Sequence, residues 1–336
     1  MTNLLAFSSD KIFTVSQKKT LLAIDQNGQL LYSKQFEQTI SAITVDSSKN
    51  NIAVGVKKEG EGKKPNLFAF SIKNDSLEEF LSFELPHEAI QLLFSDYNSK
   101  YSLLALNSGD IDCIDIESKT SKTLLGSIAT GTAFIIGSNI LISSDRDARI
   151  RYSRFPQTYE ILAFGFHHEE FISSIDFLDE NHIVSGDGDG QIIKWDLNGH
   201  TTNIKQLSEA GTIIRKLVSS NSLLYAIIEN DKTLYIINQD SLDIINKINL
   251  NEAPLTIAQN TKGQIFVLTV AELYELDKDK NELKPLHKIE LSEEDASTYS
   301  LENQRVKCKK IIHRKDKGTE DYEIWRNPEK SPSRDD

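Results

Sequence analysis

In the run Ser185-Gly186-Asp187-Gly188-Asp189-Gly190 the residue types and spacing come close to those of a cofactor cradle. Alternating glycines let a backbone wrap a phosphate or an adenosyl group, but such a loop must follow a parallel strand and open a helix. Here Gln191-Ile192-Ile193-Lys194-Trp195 continues as a strand, so the glycines predict a hairpin turn. Asp-x-Asp-Gly also hints at a calcium loop, yet no glutamate follows at the twelfth position. His167 and His168 stand side by side, but no cluster of Cys, His and acid has zinc spacing. There is no Gly-x-Ser-x-Gly elbow, and the acidic residues follow turns without an obvious catalytic pair. No intrinsic enzymatic activity and no metal are expected.

A second run has a different chemistry. Four arginines, Arg146, Arg149, Arg151 and Arg154, crowd the stretch Asp145-Arg146-Asp147-Ala148-Arg149-Ile150-Arg151-Tyr152-Ser153-Arg154. Guanidinium forks bind carboxylates and phosphates at two points and desolvate more readily than ammonium groups. The run fits either a patch for acidic groups on a partner or a row of snorkelling surface side chains.

What must position both runs is a repeat. Anchored on Asp196, equivalent positions fall at Asp25, Ser71, Asp115, Arg154, Asn238 and Asp277, at intervals of 46, 44, 39, 42, 42 and 39 residues. Four residues before each anchor stands an aliphatic: Leu21, Leu67, Ile111, Ile150, Ile192, Leu234 and Leu273. Short β-branched runs such as Lys11-Ile12-Phe13-Thr14-Val15 alternate with turn signals such as Gln26-Asn27-Gly28 and Thr261-Lys262-Gly263. A period near 40 with four strands per unit predicts an all-β, seven-bladed WD-repeat propeller over residues 1–291. Blades of this kind tie their strands with a buried chain of His, Ser, Asp and Trp, and the matching set is His168, Ser185, Asp189 and Trp195. Asp147 takes the place of Asp189 one blade earlier. Leu4 to Phe7 reads as the first strand of blade one, while a borrowed N-terminal strand in blade seven is the alternative. Residues 57–65, charged and glycine-rich, read as a solvated hairpin loop.

Residues 292–336 form a short charged tail, predicted to be partly helical from Ser292-Glu293-Glu294-Asp295 and disordered towards Ser331-Pro332-Ser333. The formal net charge of the chain is −12, and a body this acidic repels a phosphate backbone over most of its surface. The tail's basic run, with Lys307, Lys309 and Lys310, is either simply solvated or a contact for phosphates or an import receptor. Two cysteines, Cys113 and Cys308, rule out a disulfide framework, and no stretch approaches eighteen apolar residues. A soluble intracellular protein with no membrane association is expected.

The arginine stretch, continued by Phe155-Pro156 and by Ile161-Leu162-Ala163-Phe164-Gly165-Phe166-His167-His168-Glu169-Glu170-Phe171-Ile172-Ser173-Ser174, resembles the non-catalytic WD-repeat subunit of the eukaryotic tRNA (guanine-N7)-methyltransferase. That family carries Asp-Arg-Asp-x-x-Ile-Arg/Lys-x-Ser, then Gly-His-x-x-Phe-Val/Ile-Ser leading into the next blade. His167 stands here where glycine is usual, and the specific match spans Leu141 to Ser185. The resemblance implies a heterodimer in the nucleus. A Rossmann-type catalytic partner would bind S-adenosylmethionine and tRNA and modify a guanosine of the variable loop, with no cofactor on this chain and tRNA reached only through the complex. It also implies that Arg151 is an interface residue, with Arg149 next and Arg146 and Asp145 beside them. The rival readings are a WD scaffold of another complex, such as a ubiquitin-ligase adaptor or chromatin assembly, and a propeller hydrolase.

Overall fold

A computed structural model describes residues 3–301 apart from 60–65, 98–99, 108, 127–128 and 138. Most of the 57–65 loop and all of Lys307, Lys309 and Lys310 thus lie outside the described residues. Among the described residues twenty-eight strands form seven four-stranded antiparallel sheets: blades one to seven cover residues 5–35, 40–84, 91–125, 131–166, 172–206, 214–249 and 256–288. In every sheet the strands follow chain order, inner to outer, so Leu5–Phe7 is the inner strand of blade one and blade seven is built without it.

Each anchor read from the sequence falls at or next to the end of a third strand. The reason is turn chemistry. The side chains of Asp25, Asp115, Asp196, Asn238 and Asp277 each accept two backbone N–H groups from the hairpin that follows, closing it as an Asx turn. The aliphatics four residues earlier are all buried. The core is not one mass but a series of clusters, each shared by neighbouring blades. Between blades four and five it holds Ile142, Tyr152, Ile193 and Trp195, so a blade is buried only when its neighbours are present.

Among the described residues no exchanged strand holds the seam between blades seven and one. Phe7 packs on Phe266 with ring centroids 4.9 Å apart, and His287 Nδ1 lies 2.8 Å from the Gly28 carbonyl. The chain after blade seven then crosses the end of the ring. The Gln17 N–H donates to the Glu290 carbonyl, and Ser292 caps the short helix Glu293–Ser297 through a reciprocal pair with Asp295. Lys18 pairs with Asp295 at 2.7 Å, and the buried Tyr299 hydroxyl donates to the Ile40 carbonyl of blade two. On the opposite side Arg215 of blade six, paired with Glu229, donates to the Tyr299 carbonyl at 2.9 Å. The residue-291 boundary therefore marks a change of charge, not of packing: 292–301 is a strap that belongs to the ring.

The inner strands wall a central cavity of about 210 Å³, lined among others by Asn3, Gln91, Ser174, Asp176 and Lys216. Burial pushes the Asp176 carboxyl up from 3.8 to about 6 and pulls the Lys216 ammonium down.

Candidate partner-binding site

In blade five the tie is made by Asp187, not Asp189. His168 Nδ1 lies 2.7 Å from Asp187 Oδ2, its Nε2 lies 2.6 Å from Ser185 Oγ, and Trp195 Nε1 donates to the same Ser185 oxygen at 2.7 Å. All four side chains are buried. Asp187 ends the second strand, His182–Asp187, on the same face as Ser185, whereas Asp189 lies in the turn. There its carboxylate accepts the Gly211 N–H at 2.5 Å. Asp187 Oδ1 closes the hairpin by accepting from the N–H groups of Asp189 and Gln191, which frees Oδ2 for the histidine.

Blade four repeats the turn with different partners. Asp145 ends the second strand, Ile140–Asp145, and its Oδ1 accepts from the N–H groups of Asp147 and Arg149. Its Oδ2 goes to the Arg149 guanidinium, at 3.0 Å from Nε and 2.8 Å from Nη2. Asp145 is therefore a buried hairpin fastener rather than a side chain offered to a partner, and burial pushes its carboxyl up against the pull of Arg149. Asp147 is not a counterpart of the tie: it sits in the turn, 3.7 Å from Arg149. Ala148 takes φ 62, the left-handed region that Gly190 occupies at φ 77 in blade five. Arg146 turns inward to Thr130, and Arg154 pairs with Glu160.

Arg151 stands apart. Its Nε donates to Ser153 Oγ at 2.9 Å and its Nη2 to the Thr158 carbonyl at 2.8 Å, both neutral acceptors. Among the described residues no carboxylate lies within ion-pair distance of it. It is half-buried, and burial lowers its pKa from the ordinary arginine value with no neighbouring charge to offset that. Ser153 occupies the position that Trp195 holds in blade five, which explains the spacing of arginine, any residue, serine: the hydroxyl orients the guanidinium.

Beside these arginines runs a surface that motif spacing did not mark. The outer strand of blade four, Ile161–Phe166, pairs Arg149 with Phe166 and Arg151 with Phe164. Phe164 and Phe166 stack with centroids 5.5 Å apart, and both are more than one-third exposed. Phe164, Arg149 and Arg151 line a groove of about 220 Å³ between blades three and four, floored by Leu106, Ile111 and Leu125. Among the described residues no group of three His, Cys, Asp or Glu side chains is placed to hold a metal ion.

Fold and tied hairpins together define a seven-bladed WD-repeat propeller. Solved structures share that fold: the WD40 propeller of Doa1 superposes with TM-score 0.63 at 14% identity over 78% of this chain and 87% of that one. U3-55K does so with TM-score 0.65 at 14% identity over 77% and 84%. Residues 117–292 match the family described as tRNA methyltransferase TRM82 WD40 domain, and the chain belongs to that family. Similar curated relatives are the tRNA (guanine-N(7)-)-methyltransferase non-catalytic subunits TRM82 of Lodderomyces elongisporus, 24% identical over 54% of this chain and 48% of the relative, and wuho of Drosophila ananassae, 33% identical over 29% and 24%. The Saccharomyces cerevisiae TRM82 is 25% identical over 53% of this chain and 37% of its own length. The chain thus spans about half or less of the curated relatives it matches.

Proposed function

We propose that this chain is the non-catalytic subunit of a heterodimeric tRNA (guanine-N7)-methyltransferase, acting in the nucleus. It binds a Rossmann-type catalytic subunit through the blade-four hairpin and keeps that subunit in its active form. The partner holds S-adenosylmethionine and the tRNA, and the guanosine modified lies in the variable loop. The observation that carries this reading is Arg151: a half-buried guanidinium whose acceptors among the described residues are both neutral gains most when a partner supplies a carboxylate. Arg149 is already engaged by Asp145 and acts as a supporting charge. The basic run with Lys307, Lys309 and Lys310 contacts tRNA phosphates or an import receptor.

Co-purification from the native organism followed by mass spectrometry tests the assignment. A methyltransferase subunit in the pulldown, whose guanosine methylation in a reconstituted assay requires this chain, is the expected result. Recovery of ubiquitin-ligase or chromatin components without a methyltransferase would overturn it.

A further inference from the structure

Outer strands of propeller blades are sheet edges, and proteins keep such edges from pairing with other chains by placing charges on them. Six of the seven outer strands here carry lysine or glutamate, as at Lys34, Glu79, Lys122, Lys205, Lys247 and Lys284. Blade four is the exception: Ile161-Leu162-Ala163-Phe164-Gly165-Phe166 has no charged residue, and Ile161, Leu162, Phe164 and Phe166 are 48, 47, 40 and 47% exposed. Tyr159, 78% exposed, adds a further ring to the adjoining turn.

Packing against blade five explains which way the large side chains face. A Cβ on Gly165 would meet the Trp195 ring at 2.9 Å, and one on Gly199 would meet the Phe164 carbonyl at 2.6 Å, so the blade-five side of this strand accepts only small groups. With alternation along the strand, Phe164 and Phe166 face away from blade five, and Phe164 lines the groove shared with blade three. That groove has an apolar floor, a guanidinium wall and a volume of about 220 Å³. Small-molecule sites run to roughly 300–1,000 Å³, so the size suits an inserted side chain rather than a cofactor.

Resting on the heterodimer proposed above, we infer that the blade-three/blade-four groove and the Phe164–Phe166 edge dock one segment of the catalytic subunit. That segment carries an Asp or Glu for Arg151 and, within a few residues, a large apolar side chain that packs on Phe164 and Phe166. Charge selects this occupant. The chain carries a net charge of −12, so two copies repel, and a two-fold pair through this face would set the arginine wall against its own twin, whereas an acidic-apolar segment satisfies both walls at once.

The test uses the full chain and its catalytic subunit. Phe164→Thr/Phe166→Thr keeps strand-forming residues and should weaken subunit binding by roughly tenfold or more. Ile245→Thr, on the exposed outer strand of blade six, should leave binding unchanged. A photoreactive phenylalanine analogue at Phe166 should crosslink to a catalytic-subunit peptide containing an acid near an apolar residue, and this arm decides the matter where the double variant fails to fold. Unchanged affinity in the folded double variant would overturn the groove while leaving the heterodimer standing if Arg151→Glu still weakens it. Crosslinking to RNA, or self-association of the chain that the double variant abolishes, would assign the face to another occupant and overturn the proposal. Failure of the unaltered chain to bind the subunit would remove both readings.

Discussion

His168 and Asp187 meet at 2.7 Å in the interior of blade five, and the other ring nitrogen faces Ser185 at 2.6 Å. A neutral imidazole satisfies the whole chain: Trp195 donates to Ser185, Ser185 to Nε2, and Nδ1–H to Asp187. Asp187→Ala leaves the histidine and two turn N–H groups without their acceptor and should cost several kcal/mol, at roughly 1–3 per orphaned group. Asp189→Ala should cost less than about 1 kcal/mol, the scale of most surface changes. Urea unfolding of the two variants checks the order, and an equal loss would show that the tie does not depend on Asp187.

Arg151→Glu should reduce association with the proposed catalytic subunit by roughly 2–5 kcal/mol, the range for a desolvated charge that loses its partner. Ser153 and the Thr158 carbonyl are its only local acceptors among the described residues, so the unfolding midpoint should move little. Calorimetric titration beside a thermal melt separates the two. Parallel losses in binding and stability would mean that Arg151 serves the fold.

Asp176 sets a pH dependence whose sign follows from its raised pKa. With a folded value of about 6 against 3.8, its contribution to stability is fully present below pH 3.8 and lost as pH rises through 6. The loss is at most about 3 kcal/mol at 1.36 per unit, with Lys216 drawing the carboxylate the other way. Asp176→Asn should flatten the stability profile between about pH 4 and 7. Denaturation series at matched ionic strength would refute this if both proteins kept the same slope.

Tyr299→Ala should open the seam. Removing a buried aromatic ring costs about 3–5 kcal/mol, and here the bond to Ile40 goes with it. Hydrogen exchange should quicken in the strands of blades seven and one while blade four stays protected. Uniform quickening around the ring would contradict a local strap.

On the proposed function, replacing Lys307, Lys309 and Lys310 with glutamine should flatten the salt dependence of tRNA binding by the proposed heterodimer by up to about three counterion equivalents. Unchanged slope and unchanged nuclear import would leave the run with no role beyond solubility.

The repeat was legible in the sequence because one chemical need recurs: a hairpin after each third strand is closed mostly by an Asp or Asn that accepts turn N–H groups, as Asp25, Asp196 and Asp277 do. Asp189 was misplaced in the tie although a signal existed. Residues two apart share a strand face, and Ser185 with Asp187 satisfies that rule. The aromatic edge of blade four was hidden for a different reason. Ile161-Leu162-Ala163-Phe164-Gly165-Phe166 has the composition of an interior strand, and only the missing cover from blade three reveals its exposure. Tyr299 was equally unreadable, since its acceptor lies 259 residues away in blade two.

Sequential strand order within every sheet has a consequence for synthesis. A propeller that exchanges a strand between its ends leaves one sheet unfinished until translation stops, with an open edge exposed throughout. Here each sheet is complete once its own stretch has left the ribosome, so blades can stack on the growing array one by one. The last act is then not the pairing of a strand but the laying down of residues 289–301 across the seam. The nascent protein waits as an open arc with finished sheets at both ends, and the strap converts that arc into a ring.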